Sequence, residues 1–149
     1  MSLWSLLTAT AVLPTDLVTA TIVAATAQVI PGRKPQAITD QRGEVWLEHR
    51  GTQQVGSGLQ HVWACTIRVH VRTGRGNLGG SKAGTAQLTS VEAKLETIAR
   101  RYAAGVPFVA TSGLEGMQAV TVSEPVPDED PEEAGVASGY VDLTFRVKE

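Results

Sequence analysis

The sequence predicts an α+β domain: a mainly antiparallel sheet of four to five strands, two helices packed on one face, and a long hairpin and loops that project. Three observations predict it. His61 to Thr73 alternates strictly, with Trp63, Cys65, Ile67, Val69 and Val71 apolar between Ala64, Thr66, Arg68, His70 and Arg72. Tyr140 to Lys148 alternates in the same way, with Val141, Leu143, Phe145 and Val147 inward and Asp142, Thr144, Arg146 and Lys148 outward. Between them, Val91, Leu95, Ile98 and Tyr102 recur at steps of four, three and four, which is one face of a helix.

The elements follow in order. Leu3, Leu6, Leu7 and Thr10 suggest a short turn of helix in a 1–14 N-terminal extension. Pro14-Thr15-Asp16 reads as a helix start, with Thr15 or Asp16 capping the first amides. Val18, Ile22, Ala25 and Val29 continue it on one face, although Thr19, Thr21, Ile22 and Val23 also suit a strand. Pro31-Gly32 ends the element, and 32–43 is a polar linker. Glu44 to Arg50 reads as a strand, 51–58 as a polar loop, and His61 to Thr73 as the long return strand of an antiparallel hairpin. About 12 extended residues span close to 40 Å, so a bend or a projecting ribbon is expected. Thr73 to Thr85 holds five glycines and reads as a loop. Thr89 and Glu92 have capping-box spacing at the start of a helix over 89–104, Arg100 and Arg101 suit its last turn, and Gly105 and Pro107 stop it. Gln118 to Glu124 is a short strand, and 124–136 an acidic loop before the final strand.

The whole of 1–149 reads as one domain, since 42% hydrophobic and 19% charged residues suffice for a core of this size without disulfides. Cys65 is the single cysteine and can form no internal bridge. Residues 1–30 carry one charge, Asp16, with no basic stretch before Leu3, which argues against a secretory signal. The run from Leu17 to Ile30 is too short and Thr-rich to span a bilayer, so no membrane partner is expected.

Charge is unevenly placed. Glu124, Asp128, Glu129, Asp130, Glu132 and Glu133 form a run without a base, and the rest of the chain has 13 bases against 9 acids. Arg68, His70, Arg72 and Arg75 make a basic row, with Lys82 further along the Gly-rich loop. Acids Asp128, Glu129, Asp130, Glu132 and Glu133 and this row are complementary, so both are candidate interface residues. The row could also touch phosphate, but it lacks interleaved aromatics for stacking on single strands.

No constellation specifies catalysis. Gly74-Arg75-Gly76-Asn77-Leu78-Gly79 matches a dinucleotide-binding pattern, yet the predicted helix starts ten residues later and no second βαβ unit follows. His49, His61, His70 and Cys65 lack close metal-ligand spacing. There is no Gly-x-Ser-x-Gly elbow, and the abundant carboxylates are adjacent rather than paired in distinct environments. The expectation is a protein with no cofactor, no metal and no enzymatic activity.

The order of these elements across 15–149 resembles the tail-terminator and tail-completion proteins of long-tailed bacteriophages, the minor tail protein U-like group. The resemblance rests on the N-terminal helix, the Glu44–Arg50 strand, the His61–Thr73 strand, the Gly-rich loop, the 89–104 helix, and a closing hairpin ending Tyr140-Val141-Asp142-Leu143-Thr144-Phe145. The apolar N-terminal stretch and the acidic insert are additions to that pattern. The resemblance implies a virion structural protein: a hexameric ring, assembled in the host cytoplasm, that caps the tail tube and meets the head-completion or connector proteins of the neck. DNA would pass near its lumen. Two other readings fit the same residues: another neck or tail-tube component, or a small ligand-binding or enzymatic domain using the Gly-rich loop. Oligomeric mass separates the classes.

Overall fold

The computed structural model describes residues 2–9, 12–19, 29–31, 44–55, 61–72, 85–105, 114, 117–124, 126–129 and 137–148. The chain is α+β. Helices α1 (Leu3–Leu7) and α2 (Leu13–Thr19) precede strands β1 (Val29–Pro31), β2 (Glu44–Gln54) and β3 (Val62–Arg72). Helix α3 (Thr85–Ala103) then leads to β4 (Met117–Val122), β5 (Val126–Glu129) and β6 (Ala137–Lys148). The sheet order is β1-β2-β3-β6-β4, with β5 also on β6. Every pairing is antiparallel except β1 with β2.

Strand parity sorts the sheet into two faces. Val45, Leu47, Cys65, Ile67, Val69, Val71, Val141, Leu143, Phe145 and Val147 share one buried cluster with Leu7, Leu13 and Leu17 of α1 and α2 and with Val91, Leu95, Ile98 and Tyr102 of α3. All three helices therefore pack on the same face. The predicted stripe of α3 meets the predicted faces of β3 and β6, and Tyr102 sits edge-on to Phe145 with ring centroids 6.1 Å apart.

Several boundaries differ from expectation, each for a local reason. Within the expected 1–14 extension, the described residues pack on the domain core: Ser2 caps α1 by accepting from the Ser5 amide at 3.1 Å, and Leu7 and Leu13 are fully buried. Helix α2 starts at Leu13, and the Val12 carbonyl accepts its first bond from the Asp16 amide. Pro14 thus lies inside the first turn, where a missing N–H costs nothing, and neither Thr15 nor Asp16 is the cap. The helix ends at Thr19, and Val29, expected on its face, is in β1 beside Val45. Residues 20–28, the 32–43 linker and the Gly-rich loop lie outside the described residues.

Strand β2 continues to Gln54 through a bulge between His49 and Gly51, where Gly51 takes a φ of 136°. A bulge lets a strand run on through a residue that breaks the alternation, which is why Gly51 looked like a loop start. The β2–β3 hairpin does not project, because β3 pairs with β6 along its whole length, from Val62 with Lys148 to Arg72 with Ser138. Helix α3 begins at Thr85, so Thr89 and Glu92 are interior residues rather than a capping box.

The acidic stretch is also shorter than expected. Val126–Glu129 forms β5 against Ala137–Tyr140, with Pro127 opposite Gly139. Prolines suggested a loop, yet a proline is tolerated on an edge strand whose N–H side faces away from the ladder. Strands β4 and β5 follow one another along the same edge of β6, and the Ser123 amide donates to the Asp142 carbonyl between them.

Candidate functional site: the helix-free face of the sheet

The second face of the sheet carries no described helix and is built in rows across the strands. One row is Glu44, Arg72, Ser138 and Asp128, by register through β2, β3, β6 and β5. The next is Trp46, His70, Tyr140 and Val126. The third is Glu48, Arg68 and Asp142, and the fourth is Gly51, Thr66, Thr144 and Thr121. Alternation within each strand puts the rows on one face; antiparallel pairing sets their members side by side.

The charged members pair with one another. Arg68 donates twice to Asp142, Nε to Oδ1 at 2.8 Å and Nη2 to Oδ2 at 3.1 Å, and its guanidinium carbon lies 3.9 Å from the centre of the Tyr140 ring. The hydrogen bond from Arg68 to Asp142 raises the guanidinium pKa further above its already high value. His70 Nε2 bonds Glu48 Oε1 at 2.8 Å, and Arg50 donates to the other oxygen of Glu48 at 2.9 Å. Burial would raise the Glu48 pKa, but the bonds from His70 and Arg50 outweigh it and hold the carboxylate below its usual range. Thr66 and Thr144 share a hydroxyl hydrogen bond at 2.9 Å, and Ser123 Oγ accepts from the Asp142 amide.

The aromatic members are also committed. The imidazole of His70 lies flat on Trp46, with ring centroids 3.7 Å apart and planes 4° from parallel, and is tilted against Tyr140 at 5.9 Å. Trp46 is 8% exposed, and its indole N–H is buried without an acceptor. A stacking platform for nucleobases needs open ring faces. Here the face of Trp46 is spent on His70 and a face of Tyr140 on Arg68.

The predicted interface residues therefore separate. Arg68, His70 and Arg72 do share one face of β3, but Arg68 is engaged by Asp142, His70 is half-buried under Trp46, and Arg72 is only 3% exposed. They are not a solvent-facing row of charge. Asp128 and Glu129 are in β5, and register sets Asp128 two strands from Arg72, across Ser138. Arg75, Lys82, Asp130, Glu132 and Glu133 lie outside the described residues. Sequence reading placed Arg146 and Lys148 outward without using them. They are exposed at the far end of this face, and among the described residues they are its free cations. The Arg68–Asp142 pair was visible as two outward positions on two strands, but register, which alone makes them neighbours, is not written in either strand.

On the helical side, Asp16 gathers two donor side chains from α3. Arg101 Nε reaches Oδ2 at 2.8 Å, a second Arg101 nitrogen reaches Oδ1, and the Tyr102 hydroxyl donates to Oδ2 at 2.6 Å. Burial would raise the pKa of Asp16, but these bonds prevail and hold it below its ordinary value. Burial and the Asp16 bond drive the Tyr102 phenol well above its ordinary range. Cys65 is buried and free, and burial pushes its thiol up. His49 and His61 are exposed, and His49 stacks on Trp4 of α1 at 5.0 Å. No group of three metal-ligating side chains occurs among the described residues. No described helix is long and apolar enough to cross a membrane.

No protein-family model matches this chain, and no curated protein matches it significantly.

Proposed function

We propose that this protein is a structural component of a long-tailed bacteriophage virion, a tail terminator whose copies form a ring that caps the tail tube and joins it to the neck. The carrying observation is the one-sided build: three helices cover one face of the sheet, while the other presents cross-strand pairs, Arg68 with Asp142 and His70 with Glu48, that stiffen the surface. A rigid face suits repeated contact between copies, and heterologous contacts close into rings when the rotation per copy is right. The order of elements across 15–149 supports the same reading. In this role its partners are other copies of the chain, the tube protein and the head-completion or connector proteins. Its place is the neck of the particle, after assembly in the host cytoplasm.

The test is the mass and shape of the purified protein. Sedimentation should give a species several times 15.7 kDa, and negative-stain images should show rings with six-fold symmetry. A monomer at all concentrations up to about 100 μM, well above the micromolar range of standard-size interfaces, refutes a ring formed by this chain alone.

A further inference from the structure

We propose that Gly51–Val55, the stretch of β2 beyond its bulge, pairs antiparallel with the same stretch of a second copy about a two-fold axis at Gln53. The pairing goes beyond the ring proposed above and does not depend on it, since a two-fold contact closes on two copies.

The strand has an uncovered edge. β3 is paired on both sides, but β2 has β3 on one side only. On its other side, among the described residues, β1 flanks Val45 to Leu47 and ends before the bulge. Every residue from His49 to Val55 is exposed, whichever face of the strand it occupies. Sheet edges are commonly guarded by prolines, lysines or bulges. The opposite edge is guarded: Pro127 deprives β5 of a donor on its open side, and a bulge breaks β4 between Met117 and Ala119. On β2 the bulge comes before Gly51, Glu48 and Arg50 neutralise each other, and Gly51-Thr52-Gln53-Gln54-Val55 holds no charge and no proline.

Backbone parity fixes the register. The Val55 amide donates to the Val62 carbonyl at 2.9 Å, so Val55 and, two residues back, Gln53 direct their backbone groups at β3. Thr52 and Gln54 direct theirs at the open side. An axis at Gln53 sets Thr52 opposite Gln54 of the second copy and Gln54 opposite its Thr52, and each pair exchanges two N–H···O bonds. An axis at Thr52 gives one such pair, because Gln54 then meets the bulged Arg50.

The side chains agree with that register. Gly51, Gln53 and Val55 share the helix-free face. Val55, a large apolar side chain that is 40% exposed, falls opposite Gly51 of the second copy, where nothing lies within 4 Å of an added Cβ. Thr52 and Gln54 pair on the other face, and no like charges meet. Rotation about an axis normal to the sheet keeps the helices of both copies on one side, so the two sheets join into one. Five residues a side bury far less than the roughly 1,600 Å² of a standard interface, so the pairing is weak and reversible.

The experiment has two arms, both on the full chain. Amide hydrogen exchange of the unsubstituted protein is read by NMR at about 20 and about 500 μM, a span suited to a small interface. The proposal expects the Thr52 and Gln54 amides to slow at least about fivefold at the higher concentration, while Val55, already bonded within the copy, changes little. In the second arm Gln53→Cys is oxidised with copper phenanthroline beside Thr121→Cys, an exposed position on β4. Gln53 is opposite its own copy in a close, non-hydrogen-bonded pair, so Gln53→Cys should form a disulfide-linked dimer much faster than Thr121→Cys. Thr52 and Gln54 amides that exchange alike at both concentrations overturn the proposal. So does equal cross-linking of the two variants, which would mean that any slowing comes from another strand seated on this edge. A ring built through other surfaces changes the mass but neither readout.

Discussion

Replacing Asp16 by Ala should release the N-terminal helices from α3. The carboxylate accepts from Arg101 and from the Tyr102 hydroxyl, so one side chain of α2 satisfies two of α3. Tyr102 is 1% exposed, and a buried hydroxyl deprived of its acceptor costs about 1–3 kcal/mol. Arg101 is more than a third exposed, so its share is discounted to at most about 1 kcal/mol. The expected loss is about 2–3 kcal/mol for Asp16→Ala, and about 1–2 kcal/mol for Asp16→Asn, which keeps a carbonyl acceptor. Urea melts at pH 7 measure both. The sign of the pH dependence is fixed by direction. Asp16 titrates below its ordinary 3.8 in the folded chain, so its contribution is complete above that value and is lost as pH falls through the folded value. The gap between the native chain and Asp16→Asn should therefore begin to narrow as pH falls below about 5 and go on narrowing below the ordinary 3.8. A loss under about 0.5 kcal/mol at pH 7 refutes the clamp, being within the range of ordinary surface substitutions. So does a gap that persists unchanged at pH 3.

Leu95→Ala empties a fully buried site between α3 and the sheet and should cost about 2–5 kcal/mol in the same melts. Gly51→Ala meets no atom within 4 Å, so any loss is backbone strain at a φ of 136°, about 1–3 kcal/mol. Equal stability would show that the bulge relaxes. Replacing Asp128, Glu129, Asp130, Glu132 and Glu133 by Ser should weaken assembly at about 50 mM salt and remove its dependence up to about 500 mM, where screening lengths differ several-fold. Identical sedimentation of the two proteins at both salts would assign the acids to solvent.

Periodicity carried the reading of this fold furthest where a buried face repeats. The α3 stripe of Val91, Leu95, Ile98 and Tyr102 and the inward positions of β3 and β6 were legible because burial imposes a period on each element by itself. Ends were less legible, because they depend on partners. Gly51 and Pro127 break local patterns, yet each sits in a strand because the neighbouring strand supplies the ladder. Val29, expected on the same helical stripe as Val18, instead pairs with Val45, because β2 offers it a strand edge. The candidate site was half visible for the same reason. Outward positions could be named strand by strand, while the rows they form depend on register.

Register changes what the basic row can do. A guanidinium held twice by Asp142 and resting on Tyr140 contributes little free charge to its surroundings. A second acidic partner would have to displace Asp142, leaving a half-buried carboxylate without its cation, and that exchange cancels most of the attraction gained. Arg72, almost fully buried, would first have to be uncovered. In the proposed ring, salt-sensitive association across this face would fall to the exposed cations Arg146 and Lys148, on the strand that also pairs with β5. They lie at the opposite end of β6 from the residues that pair with Asp128 and Glu129, so an acidic edge and a basic end occupy opposite limits of the sheet. Within one copy these charges are too far apart to meet. In the proposed ring they would meet between copies, and that asymmetry would give a head-to-tail contact its direction.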